Sequence, residues 1–235
     1  MNDERFRPRW QIAGTTGAVV VVDVLRAFTT AAYAFDAGAD HILLVDTVAE
    51  ALDLKAQLTH VVVAGEDGGR RPDGFDLPNS PVEVSRAALG GKALVLRTSA
   101  GTRGAVAARS AERLWCASLV CASATAMAVR HSGLGDPTYV ITGRFEDDPD
   151  GGGDDVVTAR LIERARRGME LDAERAAIAV ASSEEARRTL AVGSGHVHPD
   201  DIEYAVRVDR FDFAMEVTRV DGRLRLDAVT PTSDS

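Results

Sequence analysis

Ala18-Val19-Val20-Val21-Val22-Asp23-Val24-Leu25-Arg26-Ala27 is the stretch on which the reading of the chain turns. Four consecutive valines suit a strand covered on both faces, as in a parallel sheet. Ala27 to Ala37 then reads as a helix, so an aspartate and an arginine stand at a strand-to-helix junction. In open α/β sheets ligands bind just past the carboxyl ends of strands. Asp23 and Arg26 are therefore a candidate active-site pair. The competing reading is structural: Asp23 caps the helix and Arg26 pairs with it on the surface.

The same alternation continues outward. Strand-like runs fall at Val19–Val22, Ile42–Val45, Val61–Ala64, Ala93–Leu96, Arg113–Cys116 and Thr138–Thr142, with helical patterns between them. Thr47 with Glu50 forms a capping box before the helical pattern that runs to Leu58. This predicts an α/β fold, three-layer α/β/α with a mixed, largely parallel sheet. The last third carries helical patterns over Asp154–Arg167, Ala173–Ala181 and Glu184–Val192. Two alternating runs follow, Phe211–Val220 and Leu224–Val229, joined by Asp221-Gly222. Asp-Gly between such runs signals a C-terminal β-hairpin, expected as an antiparallel edge of the sheet. The chain reads as a single α/β domain over 1–235, with a C-terminal subdomain from about residue 154 and a frayed tail over 230–235.

Composition narrows the function classes. A chain of 235 residues with 45% hydrophobic and 27% charged residues fits a soluble globule. No apolar run approaches the roughly 18 residues of a membrane span, and Met1 to Gln11 lacks a signal-peptide core. The two cysteines, Cys116 and Cys121, lack metal-site spacing and are too few for a disulfide framework. A cytoplasmic location is expected. The net charge of −9 disfavours nucleic acid but leaves room for a small anion held by clustered arginines. No Gly-x-Ser-x-Gly elbow, Walker lysine or Gly-x-Gly-x-x-Gly fingerprint is present. His196-x-His198 stands among Gly193, Gly195 and Pro199 and reads as loop rather than metal pair.

Three further segments leave strand ends. Residues 65–81 form a long loop rich in glycine and proline, and loops of this length are uncommon unless functional or disordered. Its carboxylates (Glu66, Asp67, Asp73, Asp76) and arginines (Arg70, Arg71) can hold a hard cation and an anion together, while Asn79-Ser80 can also cap a helix starting near Val82. Arg97-Thr98-Ser99-Ala100-Gly101-Thr102-Arg103-Gly104 suits phosphate: amides and hydroxyls donate, and Arg103 can bind two oxygens at once. Finally, Gly143-Arg144-Phe145 leads through an acidic, glycine-rich stretch to Asp154 and Asp155, which match the positive end of a helix.

Together these segments resemble the 2-phosphosulfolactate phosphatase family. The matching pieces are Asp23-Val24-Leu25-Arg26-Ala27, Ala64-Gly65-Glu66, Gly74-Phe75-Asp76-Leu77 with Asn79-Ser80-Pro81, and Thr98 with Gly101-Thr102-Arg103. Cys116-Ala117-Ser118 with Ala122-Ser123 also falls in order, and the likeness spans about residues 18–213. The chain departs at Ala100 and Ser123, where the family usually has asparagine. The resemblance implies a Mg2+-dependent phosphoric monoester hydrolase acting on the phosphate ester of a small 2-hydroxy acid, 2-phosphosulfolactate in coenzyme M biosynthesis. It also implies an α/β fold of the family's own and suggests a homodimer. On this reading Asp23 and Glu66 hold the ion, with Asp76 or Asp155 as a further carboxylate. Arg26, Arg103, Thr98, Ser99, Gly101 and Thr102 grip the phosphate, and Arg70, Asn79 and Ser80 contact the rest of the substrate. A nucleophilic Asp23 is the rival mechanism, although Leu25 stands where haloacid-dehalogenase phosphatases carry their second aspartate. The alternative function is a non-catalytic binder of anionic phosphorylated metabolites.

Overall fold

The structure, a computed structural model, describes residues 4–231. Of the tail expected to fray, residues 232–235 lie outside the described residues. The valine run forms β2 (Ala18–Val22), every residue of it buried. It is paired in parallel on both sides, by β7 (Arg113–Ala117) and β8 (Thr138–Ile141), and β1 (Phe6–Pro8) extends this half beyond β8. The other half holds β3 (His41–Val45), β6 (Ala93–Arg97), β4 (Val61–Gly65) and β5 (Leu77–Pro78), again all parallel. Both outer strands, β1 and β5, are short and end on a proline, which blunts an edge because proline offers no N–H for further pairing.

The hairpin is present, but its expected place at an edge is corrected. β9 (Ala214–Val220) pairs with β7 and β10 (Arg223–Val229) pairs with β3, both antiparallel, so the hairpin joins the two halves in the middle of one ten-stranded sheet. The physical reason is burial: Met215, Val217, Leu224 and Leu226 lie inside the core. Asp221 and Gly222 turn the chain with φ of 50° and 77°, as a two-residue turn matching strand twist requires.

Through this hairpin the two parallel halves run in opposite senses. Neighbouring strands rotate by roughly 20–25° each, and β4 lies six strands from β2. The accumulated rotation is on the order of 120–150°, enough to turn the carboxyl end of β4 back toward that of β2.

Helices cover both faces. α1 (Ala27–Asp36), α3 (Pro81–Ser85) and α4 (Gly101–Ala107) lie over the face carrying Val19, Val21, Leu94 and Leu96. α4 touches β2 in one half and β3 in the other. On the opposite face, α5 (Ala122–His131), α6 (Gly153–Arg166) and α7 (Ala173–Ala181) pack with Val20, Val22, Trp115 and Tyr139. α2 (Val48–Gln57) covers Leu43, Val63 and Val95, and its Thr47 cap accepts from the Glu50 amide at 3.1 Å. Two short helices complete the chain, α8 (Glu184–Ala191) and α9 (Asp201–Ala205). Among the described residues no helix is long and apolar enough to cross a membrane.

Candidate active site

Asp23 leaves the end of β2 and turns inward, only 5% exposed. Its Oδ1 accepts from the Ala27 amide at 2.8 Å, so it does tie down the start of α1. Its Oδ2 lies 3.1 Å from the Thr142 hydroxyl, which also sits 3.2 Å from Asp155 Oδ2 and 3.0 Å from the Val22 carbonyl. A hydroxyl has one proton, so it cannot serve all three acceptors. Asp155, at the start of α6, is fixed by the amides of Val24 and Gly143, each at 2.9 Å. A side chain on Gly101 would collide here, since its Cβ would stand 2.8 Å from Asp23 Oδ2. Glycine at 101 therefore serves the close approach of α4 to Asp23.

Glu66 begins the long loop after β4. Gly65 makes the exit possible: at φ +144° an added Cβ would sit 1.9 Å from the Arg97 carbonyl oxygen. Glu66 accepts from the Ser99 amide at 2.5 Å, the Ser99 hydroxyl at 3.0 Å and the Gly69 amide at 2.6 Å. Arg97, at the end of β6, donates to the Glu66 carbonyl at 2.6 Å and to Asp67 at 2.7 Å. The loop is less irregular than its composition suggests, because Asp67 and Arg70 form an antiparallel bridge around Gly68-Gly69.

Arg26 pairs not with Asp23 but with Asp201, at 3.0 Å, both buried. Asp201, wholly buried, also accepts from the Ser80 hydroxyl at 2.6 Å and the His198 amide at 3.0 Å. Ser80 thus caps α3, accepting from the Glu83 amide, while donating to Asp201. Arg26 further donates to the His196 carbonyl at 3.0 Å, and the His196 ring accepts from the Arg71 amide at 3.0 Å.

These groups face one cleft. A cavity of about 340 Å³ is lined by Asp23, Arg26, Glu66, Asn79, Ser99 and Arg188 among others. It adjoins one of about 180 Å³ lined by Asp23, Asp154, Asp155, Glu185 and Arg188. Asn79 is buried and its Oδ1 has no partner. Ala100 lines both cavities, whereas Ser123 hydrogen-bonds Asp209 elsewhere. Asp154 was read only as a match to the helix end, and Glu185, Arg188 and Asp201 escaped sequence reasoning, since no local spacing ties them to Asp23.

Several residues singled out in the sequence lie off the cleft. Arg103 pairs with Asp46 at 3.0 Å, and Asp76 with Lys55 at 2.5 Å. Arg70 is exposed. Thr98 and Thr102 hydrogen-bond each other's amides at 3.0 and 2.8 Å, and the Thr102 hydroxyl donates to the Thr98 carbonyl. Their hydroxyls shape the turn into α4.

Electrostatics dominate the cleft. Five carboxylates (Asp23, Glu66, Asp154, Asp155, Glu185) face only two guanidiniums, Arg26 and Arg188, and Arg26 is already neutralised by Asp201. Burial pushes the Asp23 carboxyl up to about 6, with Glu66 adding to the shift. Burial, Glu185 and Asp23 push Asp154 up to about 8. Asp155 is driven well above the usual carboxylate range by burial, Asp154 and Asp23. Hydrogen bonds to Ala27 and Thr142 only partly offset the shift at Asp23. Such carboxyls hold protons more tightly folded than unfolded, so stability falls as they ionise. The expected result in EDTA is a Tm that drops as pH rises from 5 to 8, with a shallower drop in Asp154→Asn. A flat wild-type profile over that range would show that no charge repulsion is stored there.

Burial and mutual repulsion oppose the ionisation of these carboxyls, and a divalent cation would relieve both. Among the described residues, no three acidic or imidazole side chains already converge on one coordination point. One or two of these carboxylates could hold an ion that keeps several waters.

Residues 8–219 match the family model described as 2-phosphosulpholactate phosphatase. A "Probable 2-phosphosulfolactate phosphatase" of Bacillus subtilis is 32% identical over 199 residues, covering 84% of this chain and 86% of that protein. The protein of the same name from Thermoplasma acidophilum is 31% identical, covering 87% of each chain. That from Thermus thermophilus is 39% identical over 145 residues, 61% of this chain and 59% of its own length. The chain belongs to the 2-phosphosulfolactate phosphatase family.

Proposed function

We propose that this cleft hydrolyses the phosphate monoester of a small 2-hydroxy acid with Mg2+, converting 2-phosphosulfolactate to sulfolactate and phosphate in the cytoplasm. The observation that carries the reading is the facing of buried Asp23 and Asp155 across Thr142, with Arg26 and Arg188 on the same cleft. A cleft with five carboxylates and two guanidiniums repels a phosphate dianion unless a cation enters with it. Asp23 would hold Mg2+, with Asp155 or Glu66 beside it. The bound ion would neutralise the phosphoryl oxygens and lower the pKa of a coordinated water.

The chain's own residues then position the ester. Arg26, held rigid by Asp201, presents its guanidinium to the phosphoryl group. Asn79 turns its amide toward the substrate from a buried position. Arg188 stands on α8, paired at the surface with Asp148 at 2.8 Å and Glu184 at 3.4 Å. Exposed pairs of this kind are screened by solvent and contribute little, so Arg188 can exchange them for the substrate carboxylate or sulfonate. In the reaction, a water oxygen bonds to phosphorus, the ester P–O bond breaks, and one proton of that water passes to the leaving alkoxide oxygen, which departs as the hydroxyl of the 2-hydroxy acid.

Phosphate release from 2-phosphosulfolactate and 2-phospholactate, with Mg2+ and with EDTA, tests the reading. Turnover with Mg2+ and none with EDTA is expected. Binding without turnover on either ester would replace it with a non-catalytic binder of phosphorylated metabolites. Arg188→Ala should raise KM for 2-phosphosulfolactate about tenfold, one charge-assisted contact, and leave KM for p-nitrophenyl phosphate, which lacks the extra anion, nearly unchanged. Mg2+ should also raise Tm more at pH 8 than at pH 5, because Asp23 is then ionised and Asp154 partly so.

A further inference from the structure

A second cavity, about 700 Å³, opens on the far side of α6, between that helix and edge strand β1. It shares no lining residue with either cavity of the cleft. Five arginines line it (Arg5, Arg144, Arg160, Arg164, Arg167) against two glutamates. In a chain of net charge −9 this is a local reversal of sign.

The glutamates balance it only in part. Both oxygens of Glu163 are already taken: Oε1 accepts from Arg5, Arg166 and Arg167, and Oε2 from Arg166 and the Tyr139 hydroxyl. Glu4 is exposed at the rim. Arg160 and Arg164 stand four residues apart on α6, and Arg167 follows three residues on, just past its end, a spacing at which like charges repel. Arg164 meets only the Glu170 carbonyl, at 3.1 and 2.7 Å. No hydrogen bond or ion pair to Arg160 is found among the described residues. Arg144 spends Nη1 on the Phe6 carbonyl at 2.9 Å, while its Nε is buried without a partner. Arg5 and Arg167 are paired with Glu163, which leaves Arg144, Arg160 and Arg164 without a counter-charge among the described residues; guanidinium groups gathered from separate segments, with a buried donor unused, are arranged for a ligand with several acceptor oxygens. Phe6 and Val156 add an apolar wall, and the volume lies in the range of small-molecule sites.

We infer that this groove is a second binding site, for a small polyanion carrying at least two phosphate or carboxylate groups. The inference stands independently of the reaction proposed for the cleft. It is tested by calorimetric titration of the full chain with pyrophosphate, ADP and citrate in EDTA, where the metal-free cleft repels anions. At least one probe should bind saturably, with a single site. Arg160→Ala/Arg164→Ala, both exposed and replaced by a good helix former, should weaken that binding at least tenfold with unchanged circular dichroism. Asp23→Asn should leave it unaltered. No saturable binding by any of the three anions would overturn the inference. So would equal affinity in the double variant, or binding confined to an acidic peptide such as hexaglutamate.

Discussion

Asp23→Asn should lower kcat/KM for 2-phosphosulfolactate by roughly a thousandfold or more, about 4 kcal/mol of barrier, while leaving the fold intact. The two halves of this expectation have one cause. Asp23 sits buried with its carboxyl pushed up to about 6, so its charge is a cost to the fold and an asset only to a bound cation. Asparagine keeps the carbonyl oxygen that accepts from Ala27. Its NH2 can donate to the Thr142 oxygen that now faces Oδ2. Tm in EDTA at pH 8 should therefore stay level or rise, and the stabilisation by Mg2+ should shrink. Activity within tenfold of wild type would remove Asp23 from the chemistry. Phosphate trapped covalently on the wild-type protein would instead make Asp23 the nucleophile.

Asp201→Asn should do the opposite, costing about 3–5 kcal/mol of stability, as loss of one partner from a buried ion pair does. Asp201 accepts from Arg26, Ser80 and the His198 amide, and lies 3.4 Å from the Val82 amide. Every neighbour is a donor, so an amide NH2 must face one of them, and Arg26 is left buried without its counter-charge. Against a typical stability of about 5–15 kcal/mol this is a large fraction. Activity should fall with stability, since Arg26 loses the group that fixes it. Thermal denaturation read beside kcat at a temperature where the variant is still folded separates the two losses. A variant as stable as wild type would show that the Arg26–Asp201 pair does not hold the site together.

The strands were legible because burial on both faces leaves unbroken apolar runs such as Val19–Val22 and Val61–Ala64. The hairpin was legible from Asp221-Gly222, but not its place, because no local pattern encodes which strands β9 and β10 pair with. Asp23, Glu66 and Asp155 were visible at element ends. Asp201 was not: it meets Arg26 across 175 residues and lies in a stretch whose local reading is only a helix start. Arg188 likewise reads as a solvated helix residue until α8 is laid against the cleft. Thr98 and Thr102 carried the right chemistry for phosphate, yet the tight turn into α4 takes up their hydroxyls.

The central hairpin also sets when this protein can fold. Leu224 pairs with Leu44, made 180 positions earlier, and β7 meets β3 only through β9 and β10. At ribosomal speeds of about 5–20 residues per second, roughly 10–40 s separate the synthesis of these partners. From the completion of β8 at Ile141 until β9 and β10 are made, the newborn chain carries two apolar half-sheets, each with a bare inner margin, which is the period in which it most needs a chaperone and in which misassembly with a neighbouring chain is most favoured.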